Sequence, residues 1–244
     1  MQPSIPLWVR LVTTAVSLFV PVVGWLVFQR FARRTARALI APSAIFIALW
    51  IVLAYTLSAR GFFSALRPAS VPAIAYAFVP LAIGYLGFLT IRSARAVVDE
   101  IPLDWMIGFQ LYRALGVVFL VEWMLGAVPG TFALPAGIGD VAIGLAAPFV
   151  AARLKRGAPN AREMAILWNV LGIADLVLAV ATAVLSTPGP LHVLAVDSSS
   201  RALTMLPLVL VPTVAVPFSI LLHLVCLHRL VGRVQSPLAV RRVA

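Results

Sequence analysis

The sequence predicts an all-α integral membrane protein, a bundle of about seven transmembrane helices with the N-terminus outside and the C-terminus in the cytoplasm. Three observations predict it. Of the 244 residues, 62% are hydrophobic and only 11% are charged, whereas soluble globular domains carry about 25% charged residues. The apolar runs are long enough for a hydrocarbon core of about 30 Å at about 1.5 Å per helical residue. Lys and Arg, finally, concentrate in alternate loops. A closed β-barrel, the other spanning solution, needs short alternating segments, and these runs are continuous.

The spans are expected near residues 7–28, 39–57, 71–91, 103–125, 132–152, 165–185 and 203–227, in one domain covering residues 1–244. The first is too long for the apolar part of a signal peptide, and its positive cluster follows the run instead of preceding it. Spans 4 and 5 are joined by the short loop 126–131 and form a tight antiparallel hairpin. Residues 186–201 are too polar to cross and form an external loop. Span 7 contains Pro207, Pro212 and Pro217, each removing a backbone donor. It is either a bent helix fitted to its neighbours or a broken helix lining a cavity.

Orientation follows from the basic residues. Arg30, Arg33, Arg34 and Arg37 follow span 1, and Arg92 and Arg95 follow span 3. Arg153, Lys155, Arg156 and Arg162 follow span 5, and Arg229, Arg233, Arg241 and Arg242 follow span 7. That places fourteen on one side against four on the other: Arg10, Arg60, Arg67 and Arg201. The net charge of +11 therefore points to anionic lipid headgroups at the cytoplasmic face. Nucleic acid is excluded as a partner because the basic loops lack interspersed aromatics. A single cysteine, Cys226, permits no intrachain disulfide.

Against this background several polar residues stand at membrane depth, where a charge costs about 2.5–3.5 kcal/mol. Arg113 lies about 15 Å into span 4, Asp175 at a similar depth in span 6, and Asp140 about 12 Å into span 5. Gln110 shares the Arg113 face, and Asn169 lies about one and a half turns from Asp175. Small residues surround both aspartates, Ala136, Gly137 and Gly144 around Asp140 and Gly172 and Ala179 around Asp175, which suits close helix packing. The segments 136–146 and 171–181 echo one another around the two aspartates. Since spans 5 and 6 run in opposite directions, such an echo would be an inverted pair, a transporter device. Arg113 neutralises one carboxylate only, so the surplus one is expected to hold or share a proton. The alternative is a hydrogen-bonded clasp that fixes helix registry.

No cofactor is expected. A bis-histidine haem needs two facing histidines, and only His223 falls within a span, near its inner end, where an interfacial place is expected. Glu122, near the outer end of span 4, is expected to reach the headgroups. No metal-ligand set appears, and Lys155, the sole lysine, lies in a loop. The residues compose no clear catalytic set, identify no substrate or protein partner, and lean away from an enzyme.

Two resemblances bear on function. Gly137-Ile-Gly-Asp140 resembles the Gly-x-Gly-Asp pattern of intramembrane aspartyl proteases and prepilin peptidases, which would make two carboxylates activate water. In those families the partner aspartate comes from an earlier helix, whereas Asp175 comes later. The longer pattern Gln110-x-Tyr-Arg113, Phe132-Ala-Leu-Pro-Ala-Gly-x-Gly-Asp140 and Ala147-Pro-Phe resembles a family of uncharacterised bacterial membrane proteins. That resemblance implies a bacterial inner-membrane location and carries no activity. Three roles follow in order: a small proton-coupled transporter using Arg113, Asp140 and Asp175; a non-catalytic scaffold or assembly protein with a structural polar clasp; and an intramembrane aspartyl protease.

Overall fold

The computed structural model describes residues 6–63, 73–186, 191–194 and 200–232. The start of span 3 at residues 71–72, Arg67, the C-terminal Arg233, Arg241 and Arg242 and most of the expected external loop lie outside the described residues. An apolar chain closes its backbone hydrogen bonds within the segment, and no strand occurs among the described residues. The helices are α1 (Leu7–Thr35), α2 (Ile40–Ala59), α3 (Val79–Thr90), α4 (Arg92–Glu100), α5 (Leu103–Phe109), α6 (Val117–Met124), α7 (Gly130–Lys155), α8 (Ala161–Ser186) and α9 (Val216–Gly232). A 3-10 segment, Gln110–Gly116, joins α5 to α6, and a π-helical segment, Val211–Ala215, leads into α9. With α3 counted together with the 3-10 stretch Ala73–Phe78 before it, α5 with α6, and α9 with the π-helical segment, seven helices among the described residues are long and apolar enough to cross a membrane.

Most spans run past their expected ends. Residues 7–28 extend to Thr35, and 165–185 begins at Ala161. Arg and Lys are good helix formers and favour the negative C-terminal end of a helix. Thus Arg33 and Arg34 complete the last turn of α1, and Arg153 and Lys155 that of α7; none of them sits in a loop. Arg92 and Arg95, also expected in a loop, belong to α4. Its C-terminal carbonyls are taken up by Arg229 of α9, which donates to Val98 O at 2.9 Å, Asp99 O at 2.8 Å and Ile101 O at 2.6 Å. Arg162, at the start of α8, donates to Leu230 O at 3.0 and 2.7 Å, and Thr35 hydrogen-bonds Glu100. These contacts gather the ends of α1, α4, α8 and α9 on one Arg-rich face. Beneath that face Met106, Ile107, Ala147, Val150, Trp168 and Cys226 pack into one buried cluster.

Span 7 departs most from the expectation. The continuous helix starts at Val211, not at residue 203. Residues 206–209 are turns, since Pro207 and Pro212 cannot donate to a helical ladder and crowd the turn before them. The turns are nevertheless buried: Leu203 and Leu208 pack with Phe119 and Phe132, whose rings meet edge to face at 5.2 Å. Pro217 leaves the Thr213 carbonyl without its usual donor four residues on. The Trp50 indole of α2 supplies one at 2.9 Å. The helix thus starts after Pro207 and continues through Pro212, in the π-helical segment, and Pro217.

Candidate functional site: a buried arginine held between two carboxylates

The 3-10 segment sets the site. Residues three apart eclipse one another in such a helix, so Gln110, Arg113 and Gly116 stack along one edge. The Arg113 backbone approaches α7 at Gly144, where a Cβ would lie 2.9 Å from the Arg113 carbonyl carbon. Close backbone contact of this kind is how membrane helices pack around small residues.

The Arg113 side chain is only 2% exposed. Nε donates to Asp140 Oδ1 at 2.7 Å, and Nη2 donates to Asp175 Oδ2. Nε and Nη2 form one edge of the planar guanidinium, which commonly grips a single carboxylate through two bonds. Here that edge is divided between two carboxylates from two helices. Nη1 faces the other way and donates to Gly172 O at 3.3 Å and to His223 Nε2 at 3.1 Å. Four of the five N–H donors of a guanidinium are thereby engaged.

Arg113 cannot accept a hydrogen bond, so His223 Nε2 must be the acceptor and Nδ1 carries the proton. Nδ1 then donates to Asn169 Oδ1 at 2.8 Å. The Asn169 amide in turn donates to Ala165 O at 2.7 Å, which fixes the amide orientation. Imidazole and amide form a relay in which every polar atom has one consistent role, with His223 neutral. Trp168 lies against the imidazole at 5.0 Å between ring centroids. Gly172 makes room for it: a Cβ there would stand 2.5 Å from His223 Cε1 and 3.2 Å from Arg113 Nη1.

Of the five residues singled out from sequence, Arg113, Asp140 and Asp175 meet directly, and Asn169 joins them through His223. Gln110 belongs to an adjoining group. Its Nε2 donates to Ser219 O at 3.3 Å while Oε1 is buried without a partner, and Tyr112 hydrogen-bonds the Ser219 hydroxyl. His223, Tyr112 and Ser219 were not expected in the site. The expected interfacial place of His223 is corrected to a fully buried one. The cause is the late start of span 7, which puts residue 223 at its middle. Two prolines five residues apart, Pro207 and Pro212, were the signal. Glu122 is corrected as well. It is 0% exposed and neither carboxylate oxygen has a hydrogen-bond partner. The turn after α6 folds back, with Ala127 donating to Glu122 O at 2.8 Å, and Glu122 faces the interior with Ala127 and Val128 while Trp123, Met124 and Leu125 keep the exposed side.

A cavity of about 60 Å³ reaches the cluster from the side away from the Arg-rich face. Arg113, Asp140, Tyr112 and Ser219 line it together with apolar residues of α1, α6 and α8 and of the π-helical segment. No group of three or more metal-ligating side chains occurs among the described residues.

No curated protein and no solved structure matches the chain. Residues 70–231 match a family described as a domain of unknown function, DUF8737. The match spans more than half of the chain and contains every polar residue of the cluster. By that match the protein belongs to the DUF8737 family.

Proposed function

We propose that the protein is a small proton-coupled transporter of the bacterial inner membrane, oriented with its N-terminus outside and its C-terminus in the cytoplasm. The carrying observation is the divided guanidinium: two carboxylates bonded to one Arg113 at the end of a cavity. Two carboxylates and one guanidinium leave one negative charge too many, which a proton neutralises. Intramembrane ionisable groups of this kind mark ion pathways. Two further features support the reading. The aspartates come from the antiparallel α7 and α8, within echoing segments, and a proline-broken span walls the cavity, both recurrent in transporters. The distribution of basic residues supports the orientation.

Proteoliposomes with a lumenal pH dye, challenged in turn with gradients of a panel of ions and small solutes, test the proposal. A protein-dependent pH change is expected for at least one solute. It is expected to disappear in Asp140→Asn and Asp175→Asn proteins that melt as the parent does. An unaltered response in both variants, or no response to any solute from folded protein, overturns the reading.

One observation favours a second reading, a scaffold or assembly protein. Arg113 finds four bonds from fixed partners, so the guanidinium needs no ligand from outside to be held. That reading expects the same variants to lower thermal stability in detergent and a protein partner to copurify. The aspartyl protease reading fits less well. The guanidinium occupies one oxygen of each carboxylate, where a water-activating dyad would share its proton directly. Cleavage of a membrane substrate abolished by either variant would restore it.

A further inference from the structure

We infer that the Asp140 end of the cavity is a binding site for a small monovalent organic ammonium ion, which exchanges with one proton. This inference deepens the transporter reading and rests on it.

Charge balance selects the sign. The ionisable groups around Asp140 are Arg113 and Tyr112 from the 3-10 segment, Asp175 from α8 and His223 from α9. His223 is neutral by its hydrogen bonding, and Tyr112 donates to the Ser219 hydroxyl, whose own proton goes to Ala215 O. One negative charge remains, and one proton or one monovalent cation balances it, not both. An anion would add to the surplus and would find Arg113 with four of its donors already taken.

The walls select the kind of cation. Beside Asp140 they are mostly carbon: Val12, Val16, Leu176 and the rings of Tyr112 and Phe119. A bare metal cation such as calcium asks for six to eight oxygen ligands. The Ser219 hydroxyl is already committed to Ala215 O at 2.7 Å and to Tyr112. An ammonium group needs less, since one carboxylate and neighbouring aromatic faces bind it. Asp140 presents a second oxygen for this purpose. Oδ1 takes the Arg113 bond, while Oδ2 lies beside Gly116, which itself lines the cavity. A Cβ at Gly116 would stand 2.9 Å from that oxygen. The space beside Asp140 is about 60 Å³, so the charged group that reaches the carboxylate is a small one.

The exchange balances simply. The proton held by the Asp140–Asp175 pair passes to water as the ammonium ion takes its place beside Asp140, and no bond in the ligand forms or breaks. In lightly buffered detergent solution with a pH dye, methylammonium chloride is therefore expected to release protons saturably, approaching about one per protein. Potassium chloride at equal concentration should release none. The release should vanish in Asp140→Asn. It should also vanish in Val16→Phe, which fills the cavity from α1 and changes none of the residues bonded to Arg113. Equal release by potassium overturns the ammonium assignment, as does methylammonium release that survives Val16→Phe. If methylammonium releases nothing while another solute moves protons in proteoliposomes, the ligand class falls and the transporter reading stands. If no solute moves protons either, both fall.

Discussion

Spans 1 and 2 and spans 4 to 7 are built from similar residues and behave differently. In the most apolar stretch of span 2, 11% of residues are buried within the protein; in span 7, 67% are. Leu49, Val52 and Leu53 of α2 are more than half exposed, as suits a helix whose neighbour is lipid. Span 7 instead carries Phe218, Ile220, His223 and Cys226 into the interior. Every charged group of the cluster lies in the part that matches the family, residues 70–231. Spans 1 and 2 lie outside that match and contribute a cavity wall, through Val12, Thr13 and Val16, and hydrogen bonds from Trp50 and Thr35. Hydropathy makes a helix span; what it does there depends on which face meets another helix.

The sharpest way to break this contrast is Arg113→Met. It leaves two carboxylates facing each other without their cation, and removing one partner of a buried ionic group costs about 3–5 kcal/mol. Loss of the folded peak in fluorescence-detected size exclusion is expected, and a melting curve near the parent's would mean that the cluster does not hold spans 4 to 6 together. Gly172→Ala should cost less, about 1–3 kcal/mol as overpacking, because His223 must yield to the new methyl group. Its melting temperature is expected to fall, and an unchanged one would show slack around the relay. Leu49→Ala, on the lipid face of α2, is expected to stay within about 0.5 kcal/mol. A large destabilisation there would erase the distinction between the two regions. Run beside Gly172→Ala under identical detergent conditions, it gives the comparison its baseline.

Much of this arrangement was legible in the residues. The number of apolar helices, the hairpin of spans 4 and 5 and the mid-helix positions of Arg113, Asp140 and Asp175 all follow from run length. The 3-10 segment was not legible, because Gln110–Gly116 has no proline and only a terminal glycine, and tertiary contact with α7 decides its winding. The interior place of His223 was hidden by a span boundary drawn through apolar but proline-broken residues. Hydropathy does not register backbone donors, so residues 203–210 read as helix. Glu122 was misplaced because its burial depends on how the following turn folds back.

By itself, then, the sequence determined that the chain is a set of seven apolar helices with a few ionisable groups it cannot easily expose. Composition and length are local quantities, and each span answers to them alone. Only the tertiary structure decided that Asp140 and Asp175 divide one edge of Arg113, that His223 and Asn169 complete the polar core, and that a cavity reaches it. Those outcomes depend on rotation of each helix about its axis and on close approach at Gly144 and Gly172, and such choices are made between helices, where a single run of residues carries no record of its neighbour.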